Sequence, residues 1–362
     1  MKGLTFHAVH DVRVENVPEP TIEQPTDVLV RVTMAGICGS DLHIFNAGEA
    51  FGFTPGSRLG HEFIGTVEAV GADVAGFAPG DRVLSSCSVA DGSCDYCKEN
   101  LASSCARWSL FGWAPRVWAH GGAVQGGQSE FVRVPLADTT LVHMPESLSA
   151  LEHQTKLLPL VDMVSTAWHG LTMARMVPGQ RVVVIGDGAV GLSAVHAASV
   201  IGAEAVICLG HHEDRLTVAR TLGATHVVSS RDPEEIAAQV KELTANEGAH
   251  VVVDTISGKE SMASAHACVR AGGAIACLGM DHFMGKTPEV NWFDQFLRNI
   301  TITGGLVPGP AYLGRLLELT ESGKMDASPV LSHLLPLADA ADGYRMMAER
   351  REGVTKVALT PS

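Results

Sequence analysis

The chain has 362 residues, a length typical of about two domains. Hydrophobic residues make up 46% and charged residues 18%, which indicates a globular protein with a large apolar core and excludes a disordered chain. The 26 basic and 40 acidic residues give a formal charge of −14, which argues against general binding to nucleic acid or to an anionic membrane, because both require concentrated Lys and Arg.

Targeting signals are not evident in the sequence. There is no run of about 18 uncharged apolar residues, so we expect no transmembrane helix. The first residues lack the apolar centre of a signal peptide, which predicts a cytoplasmic protein. In that compartment the eight cysteines are expected to be thiols or metal ligands rather than disulfides.

The first part of the chain, to about residue 160, is broken by Gly and Pro into short predicted strands. Strands are predicted at 28–33, 62–70 and 131–134, and helical periodicity is weak. This pattern favours an all-β domain with long loops.

The pattern changes after Pro159. A β-branched run at 181–185 is typical of a strand buried on both faces, and a helix of small residues follows it to about Gly202. Further strands are predicted at 205–209, 226–228, 250–254, 274–278 and 300–304, with helices at 213–222, 233–244 and 261–269 between them. This alternation predicts a doubly wound parallel sheet. A helix at 312–322 and a strand at 356–359 complete the chain.

A dinucleotide-binding turn is predicted at Gly186, Gly188 and Gly191, directly after a strand and at the start of a helix. In such a turn the first Gly permits the tight bend, the second lets a pyrophosphate approach the backbone, and the third lets helix and strand pack closely. The helix N-terminus then offers free N–H groups and the positive end of its dipole.

The end of the second strand of this domain indicates which dinucleotide binds. NAD-binding sites place Asp or Glu there, to accept a hydrogen bond from the ribose 2′-hydroxyl. The residues here are Gly210, His211, His212 and, slightly further on, Arg215. A missing carboxylate and several potential cations favour NADP over NAD. The alternative is that Glu213 or Asp214 is the acid in a shifted register, although both also suit the first turn of a helix.

Potential zinc ligands of three types occur in separate segments: Cys38, His61 and Asp162. A thiolate, an imidazole and a carboxylate are suitable ligands for Zn²⁺, and three protein ligands leave one position open for water or substrate. Each residue alone is a weak signal, because a single Cys or His is more often part of the core.

These motifs, in this order and spacing, resemble those of the zinc-dependent medium-chain alcohol dehydrogenases over nearly the whole chain. Within that family the resemblance is strongest to bacterial NADP-dependent secondary-alcohol dehydrogenases, which also place Asp at the third ligand position and Gly at the end of the second strand. It implies a GroES-like β catalytic domain at 1–165, completed by 306–362, and a Rossmann NADP-binding domain at 166–305.

The resemblance also implies roles for individual residues. Cys38, His61 and Asp162 would hold a catalytic zinc, with Glu62 behind it and Asp41 orienting His61. Ser40 would pass the alcohol proton toward His43 through the cofactor ribose. The cofactor would contact Thr166, Gly186, Gly188, Ala189, Val190, Gly191, Gly210, His211, His212 and Arg215. The substrate pocket would be lined by Ser40, Trp113, Leu306 and Val307.

A second zinc site is predicted in the cysteine-rich segment at 87–105. Cys94, Cys97 and Cys105 match the structural-zinc lobe of the family, but Asp91 stands where a fourth Cys is usual. Asp91 can complete a tetrahedral site as a carboxylate ligand, and Cys87 is an alternative. A lobe of reduced cysteines without metal remains a further alternative.

We therefore expect a zinc- and NADP-dependent oxidoreductase that interconverts an alcohol with a ketone or aldehyde, with an apolar secondary alcohol as substrate. A polyol, sugar or amino-alcohol dehydrogenase of the same superfamily is one alternative, and a catalytically silent NADPH-binding protein is another. The family resemblance implies a homodimer or homotetramer.

Overall fold

A computed structural model describes residues 1–113, 122–281, 285 and 287–361. The strands are, in chain order, β1 Lys2–Ala8, β2 Asp11–Asn16, β3 Val28–Ile37, β4 Ser57–Arg58, β5 Glu62–Val70, β6 Arg82–Ser85, β7 Ser88–Val89, β8 Ser109–Leu110, β9 Phe131–Val134, β10 Leu141–His143, β11 Arg181–Ile185, β12 Ala205–Leu209, β13 His226–Val228, β14 Ala249–Asp254, β15 Val269–Cys277, β16 Thr301–Gly304, β17 His333–Pro336 and β18 Val357–Thr360. The α-helices are α1 Gly39–Ala47, α2 Asp95–Lys98, α3 Ala137–Thr140, α4 Gln154–Val161, α5 Met163–Met173, α6 Ala189–Ile201, α7 Glu213–Thr221, α8 Pro233–Leu243, α9 Lys259–Cys268, α10 Trp292–Arg298, α11 Leu313–Glu321 and α12 Ala340–Ala348.

The chain forms two compact units. One consists of Met1–Asp162 together with Pro308–Ser362, and the other is Met163–Val307. These divisions fall after 162 and 307, whereas the sequence analysis places them after 165 and 305.

The first unit is built on a seven-stranded sheet with the order β10-β6-β5-β3-β18-β17, and β9 also pairs with β3. A three-stranded sheet, β2-β1-β4, and the short β7-β8 pair accompany it. β3 is the central strand, since it pairs antiparallel with β5, β9 and β18. The C-terminal strand β18 therefore completes the core of the N-terminal part of the chain.

The second unit is a six-stranded parallel sheet with the order β13-β12-β11-β14-β15-β16, the doubly wound order that the alternating pattern predicts. Val182, Val183 and Val184 of the central strand are fully buried, as expected for a strand covered by helices on both faces. Strand order reverses between β11 and β14, which creates a crevice at their carboxyl ends. The glycine-rich turn that follows β11 lies at this end.

The prediction of a β-sheet unit joined to a doubly wound unit is thus confirmed, but the first unit is not all-β, because it also contains α1, α4, α11 and α12. Among the residues that the structure describes, no helix is both long and apolar enough to cross a membrane.

Candidate active site

A buried cluster of potential metal ligands lies in the first unit. Cys38 follows β3, His61 directly precedes β5, Glu62 begins β5, and Asp162 follows α4. One ligand atom from each of these four residues lies within 4.8 Å of the others. The Cys38 Sγ is 3.4 Å from Asp162 Oδ2, and the His61 Nε2 is 3.6 Å from the same oxygen. The antiparallel pairing of β3 with β5 explains why residues 38 and 61 meet, since Gly36 is the register partner of Glu62.

Asp41 orients the His61 ring from the first turn of α1. Its Oδ1 lies 3.4 Å from His61 Nδ1, which leaves Nε2 facing Asp162. Its Oδ2 accepts hydrogen bonds from the backbone N–H of Cys38 at 3.0 Å and from Gln128 at 3.1 Å. The Tyr344 hydroxyl donates in turn to Gln128 Oε1 at 2.8 Å. A carboxylate behind a ligating His is a recurring arrangement in metal sites, because it fixes the tautomer and direction of the ring.

Glu62 is held by a buried ion pair. Lys356 Nζ lies 2.6 Å from Glu62 Oε1, and both side chains are about 1% exposed. The other oxygen, Glu62 Oε2, is buried and has no hydrogen-bond partner among the described residues. A Cβ on Gly36 would lie 2.0 Å from that oxygen, so only Gly at 36 leaves room for the carboxylate. Glu62 therefore keeps one free acceptor atom beside the cluster.

Burial and mutual charge govern the pKa values in the cluster. Burial raises the pKa of the Cys38 thiol, and the Asp162 carboxylate raises it further. Burial alone would lower the pKa of His61, but the charges of Asp41 and Cys38 together with the contact to Asp162 outweigh it, so the pKa of His61 stands well above its ordinary value. Burial would raise the pKa of Asp162, but its hydrogen bond with His61, together with the charges of His61 and Lys356, holds that pKa below the usual range.

The cluster fits a zinc ion. Three carboxylates and a thiol face one lysine and one imidazole in a buried space, which is costly unless a cation balances the negative charge. The soft thiolate, the imidazole and the carboxylate are a suitable Zn²⁺ donor set, and binding would replace the protons on Cys38 and His61. The sequence-predicted ligands Cys38, His61 and Asp162 are therefore brought together.

The predicted proton-transfer residues lie on α1, next to the cluster. The Ser40 Oγ is 3.4 Å from His61 Nε2. His43 follows three residues later on the same helix, a spacing that places two side chains on one helix face. Both residues are half-buried.

The cysteine lobe forms a second cluster in the same unit. Ligand atoms of Asp91, Cys94, Cys97 and Cys105 lie within 4.8 Å of one another, and the cysteines are free thiols. Backbone N–H groups of Cys94 and Ser93 donate to Asp91 Oδ1 at 2.9 and 2.7 Å, which holds the pKa of Asp91 below its usual range. Burial raises the pKa of Cys97 to about 12, so this thiol needs a cation to ionise near neutral pH.

Cys87, the alternative fourth ligand, is not in this second cluster. Its thiol is buried, and burial together with the charge of Asp162 raises its pKa. Because the charges acting on Cys87 are those of the first cluster, this placement favours Asp91 as the fourth group of the lobe.

The glycine-rich turn has the geometry of a phosphate cradle. Gly186 has φ +110°, a conformation that side chains rarely adopt, and a Cβ on Gly191 would lie 2.0 Å from the Gly186 carbonyl oxygen. A Cβ on Gly188 would meet nothing within 4 Å, so this backbone borders open space. Ala189 and Val190 form the first turn of α6, whose N-terminus points its N–H groups toward that space. The turn therefore fits a dinucleotide pyrophosphate.

The other predicted cofactor residues occupy two places in the second unit. Thr166 is half-buried on α5. Gly210, His211, His212 and Arg215 surround the carboxylate of Asp187.

The predicted substrate residues lie in different units. Trp113 is 5% exposed and packs against Phe51 and Phe53, with ring centroids 6.1 and 6.2 Å away. Leu306 is 43% exposed and Val307 is buried, and both belong to the second unit.

Four residues that shape these sites were missed by sequence reasoning: Gln128, Asp187, Tyr344 and Lys356. For Lys356 a signal existed, because a single Lys stands at the start of an apolar predicted strand. Gln128 and Tyr344 act through contacts more than 80 residues away in the chain, which no local pattern reveals.

Comparisons with known proteins agree with this architecture. Residues 24–146 match the family model of the alcohol dehydrogenase GroES-like domain, and residues 189–322 match that of the zinc-binding dehydrogenases. The zinc-type alcohol dehydrogenase-like protein AdhB of Bacillus subtilis, itself uncharacterized, is 33% identical over the whole of both chains.

Solved structures extend the likeness to three dimensions. Alcohol dehydrogenase TADH from Thermus sp. ATN1 superposes with a TM-score of 0.91 at 33% identity, covering all of both chains. A protein of Sinorhizobium meliloti 1021 described as a zinc-binding dehydrogenase, and solved with NADP bound, has a TM-score of 0.82 at 27% identity and 99% coverage of each chain. The chain belongs to the zinc-dependent medium-chain alcohol dehydrogenase family, oxidoreductases that combine a GroES-like domain with a Rossmann domain.

Proposed function

We propose that this oxidoreductase transfers hydride between an alcohol and a nicotinamide dinucleotide, at a zinc ion held by Cys38, His61 and Asp162. The observation that carries the proposal is the buried convergence of these three ligand groups within 4.8 Å, together with Glu62. A bound zinc would supply a Lewis acid that polarises the substrate oxygen and favours loss of the alcohol proton.

The residues around the ligands prepare the site for that chemistry. Asp41 keeps the His61 ring oriented, and Gln128 and Tyr344 keep Asp41 in place. Ser40 Oγ would take the alcohol proton while its own proton is passed on toward His43, a side chain that can accept one. Lys356 holds Glu62 close to the ligands with one oxygen free to approach the ion during ligand exchange.

The glycine-rich turn would hold the dinucleotide, whose nicotinamide supplies or accepts the hydride. Two features support this assignment: the backbone at Gly188 borders open space, and the chain packs too tightly at Gly186 and Gly191 for a side chain. The preference for NADP stays a prediction. The NADP-bound relative supports it, whereas the carboxylate of Asp187 beside Gly210 opposes it.

An apolar secondary alcohol remains the proposed substrate. The support is the apolar environment of Trp113 among Phe51 and Phe53, since an aromatic wall favours apolar carbon over a polyol chain. A role in the substrate site stays a prediction for Leu306 and Val307.

A second, structural zinc is proposed in the lobe of Asp91, Cys94, Cys97 and Cys105. Its support is the closed set of four ligand atoms, because closed tetrahedral sites are structural rather than catalytic.

A homodimer or homotetramer is proposed as the assembly. Helix α10 exposes four large apolar side chains: Trp292 72%, Phe293 72%, Phe296 78% and Leu297 59%. A contiguous apolar patch of this kind is unusual on a monomer and typical of an interface. The cytoplasmic location stays a prediction.

The test is a panel of alcohols and ketones with NAD(H) and NADP(H), run on the wild type and on Cys38→Ser together with zinc analysis. We expect turnover and bound zinc in the wild type. Cys38→Ser should lose one zinc per chain and nearly all turnover, while its affinity for the dinucleotide changes less than about threefold, because the glycine-rich turn is intact. Turnover that survives Cys38→Ser would refute the zinc assignment, and absence of both zinc and turnover in the wild type would favour a dinucleotide-binding protein without catalysis.

A further inference from the structure

Asp187, the residue between the first two glycines of the turn, places a carboxylate at the end of β12. Its Oδ2 accepts hydrogen bonds from the backbone N–H groups of His211 at 2.7 Å and His212 at 2.9 Å. The His212 ring contacts the same oxygen through Nδ1 at 2.9 Å, and Arg215 Nη1 lies 3.7 Å from Oδ1. The acid therefore stands beside the strand end at which NAD-binding sites carry one.

Gly210 and Asp187 share one space. A Cβ on Gly210 would lie 2.6 Å from both the Cβ and the Oδ2 of Asp187, closer than real Cβ contacts allow. A side chain at 210 and the observed Asp187 conformation therefore exclude each other. Glycine at 210 is therefore compatible with a carboxylate supplied by the neighbouring turn.

The groups that the sequence analysis assigned to a 2′-phosphate already face an anion. The Asp187 carboxylate is contacted by two backbone N–H groups just before α7, by the His212 ring and by the Arg215 guanidinium. A 2′-phosphate entering here would meet the negative charge of the Asp187 carboxylate.

A 2′-hydroxyl, in contrast, would find an acceptor. Among the described residues, three donors contact Oδ2, whereas Oδ1 has a second contact of His212 Nδ1 at 3.1 Å and Arg215 Nη1 at 3.7 Å. An ionised carboxylate has about four lone-pair positions, so Oδ1 can accept one more hydrogen bond.

We infer that Asp187 is the specificity-determining residue of the dinucleotide site and makes it prefer the unphosphorylated ribose of NAD over that of NADP. This inference rests on the proposed dinucleotide-dependent function and reverses the cofactor preference that Gly210, His211, His212 and Arg215 suggested. The carboxylate that other sites carry on the second strand is supplied here by the glycine-rich turn.

Calorimetric titration with NAD⁺ and NADP⁺ tests the inference without relying on turnover. We expect the wild type to bind NAD⁺ at least about tenfold more tightly, the discrimination typical of one hydrogen bond to a charged group. Asp187→Asn, which keeps the shape, and Asp187→Ala should both weaken NAD⁺ binding about tenfold and tighten or preserve NADP⁺ binding. Asp187→Ala removes the hydrogen-bond acceptor at the start of α7 and for that reason can fail to fold. In that case the affinities of Asp187→Asn alone decide whether the inference holds.

Two further variants separate this role from a general charge effect. Glu213→Gln removes a neighbouring exposed acid, and it should leave the NAD⁺ to NADP⁺ affinity ratio within about twofold. The double variant Asp187→Gly with Gly210→Asp moves the carboxylate to the strand end, and it should again bind NAD⁺ more tightly than NADP⁺. Gly is needed at 187 because the Cβ of Asp187 itself obstructs a side chain at 210.

Tighter binding of NADP⁺ than NAD⁺ by the wild type would overturn the inference, as would an unchanged affinity ratio in Asp187→Asn. Neither result would affect the proposed function. Binding of neither dinucleotide would refute the proposed function itself.

Discussion

Removal of the Lys356 amine should destabilise the first unit strongly. Lys356 and Glu62 are each about 1% exposed and lie 2.6 Å apart, so Lys356→Met leaves a buried carboxylate without its cation. Breaking a buried pair in this way costs about 3–5 kcal/mol. At about 3 °C per kcal/mol for a unit of this size, the melting temperature should fall by roughly 9–15 °C.

The assay is thermal unfolding followed by circular dichroism, with chelator and with added zinc. The loss should be larger with chelator, because a bound dication would replace part of the missing positive charge. Adding Glu62→Gln to Lys356→Met should recover at least half of the loss, since the unpaired charge is then gone. Lys259→Met is the matched control: its partner Glu289 is also within hydrogen-bond distance, at 2.9 Å, but the side chains are 63% and 81% exposed, so the change should cost less than about 1 kcal/mol. A loss of under about 1 kcal/mol in Lys356→Met, or no recovery in the double variant, would refute the reasoning.

Three other predictions concern the remaining parts of the molecule. Burial lowers the pKa of His169 to about 4, so the unfolded chain binds a proton that the folded chain does not between pH 6.5 and 4. The free energy of unfolding should therefore fall as pH decreases through that window, and His169 should account for about 2 kcal/mol of the loss between pH 8 and pH 5. Urea unfolding should show this loss in the wild type but not in His169→Gln. Identical pH profiles of the two proteins would contradict the prediction. Gly191→Ala places a Cβ 2.0 Å from the Gly186 carbonyl, so calorimetry should show at least about tenfold weaker dinucleotide binding, and unchanged binding would show that the turn is not the cradle. Cys97→Ser should remove one zinc per chain by metal analysis and leave the Cys38-dependent zinc in place, whereas an unchanged zinc content would exclude a metal in the lobe.

The strands and helices of the second unit were largely predictable from the sequence. The predicted strands at 181–185, 205–209 and 226–228 have the bounds of β11, β12 and β13. Buried parallel strands are short segments rich in β-branched residues that end at glycine or a polar residue, so local composition alone predicts where they begin and end. The glycine-rich turn and the three zinc ligands were also identified from local motifs and the family resemblance.

Features that depend on long-range contacts were not predictable. The first predicted strand, 28–33, continues to Ile37 as β3, because β5 and β18 pair with residues 34–37 on both sides and bury them. Helix α10 was not predicted, because seven residues are too short a segment for helical periodicity to identify. The cofactor preference depends on a similar contact and stays a prediction: local sequence does not show that Asp187, 23 positions earlier, fills the space beside Gly210.

The central claim is that Cys38, His61 and Asp162 hold a zinc ion. An anomalous difference map, measured at the zinc absorption edge on crystals of the wild-type protein, tests it most directly. The account predicts an anomalous peak at bonding distance from the Cys38 Sγ, the His61 Nε2 and the Asp162 carboxylate. A zinc-replete crystal with no peak at those three side chains would contradict it.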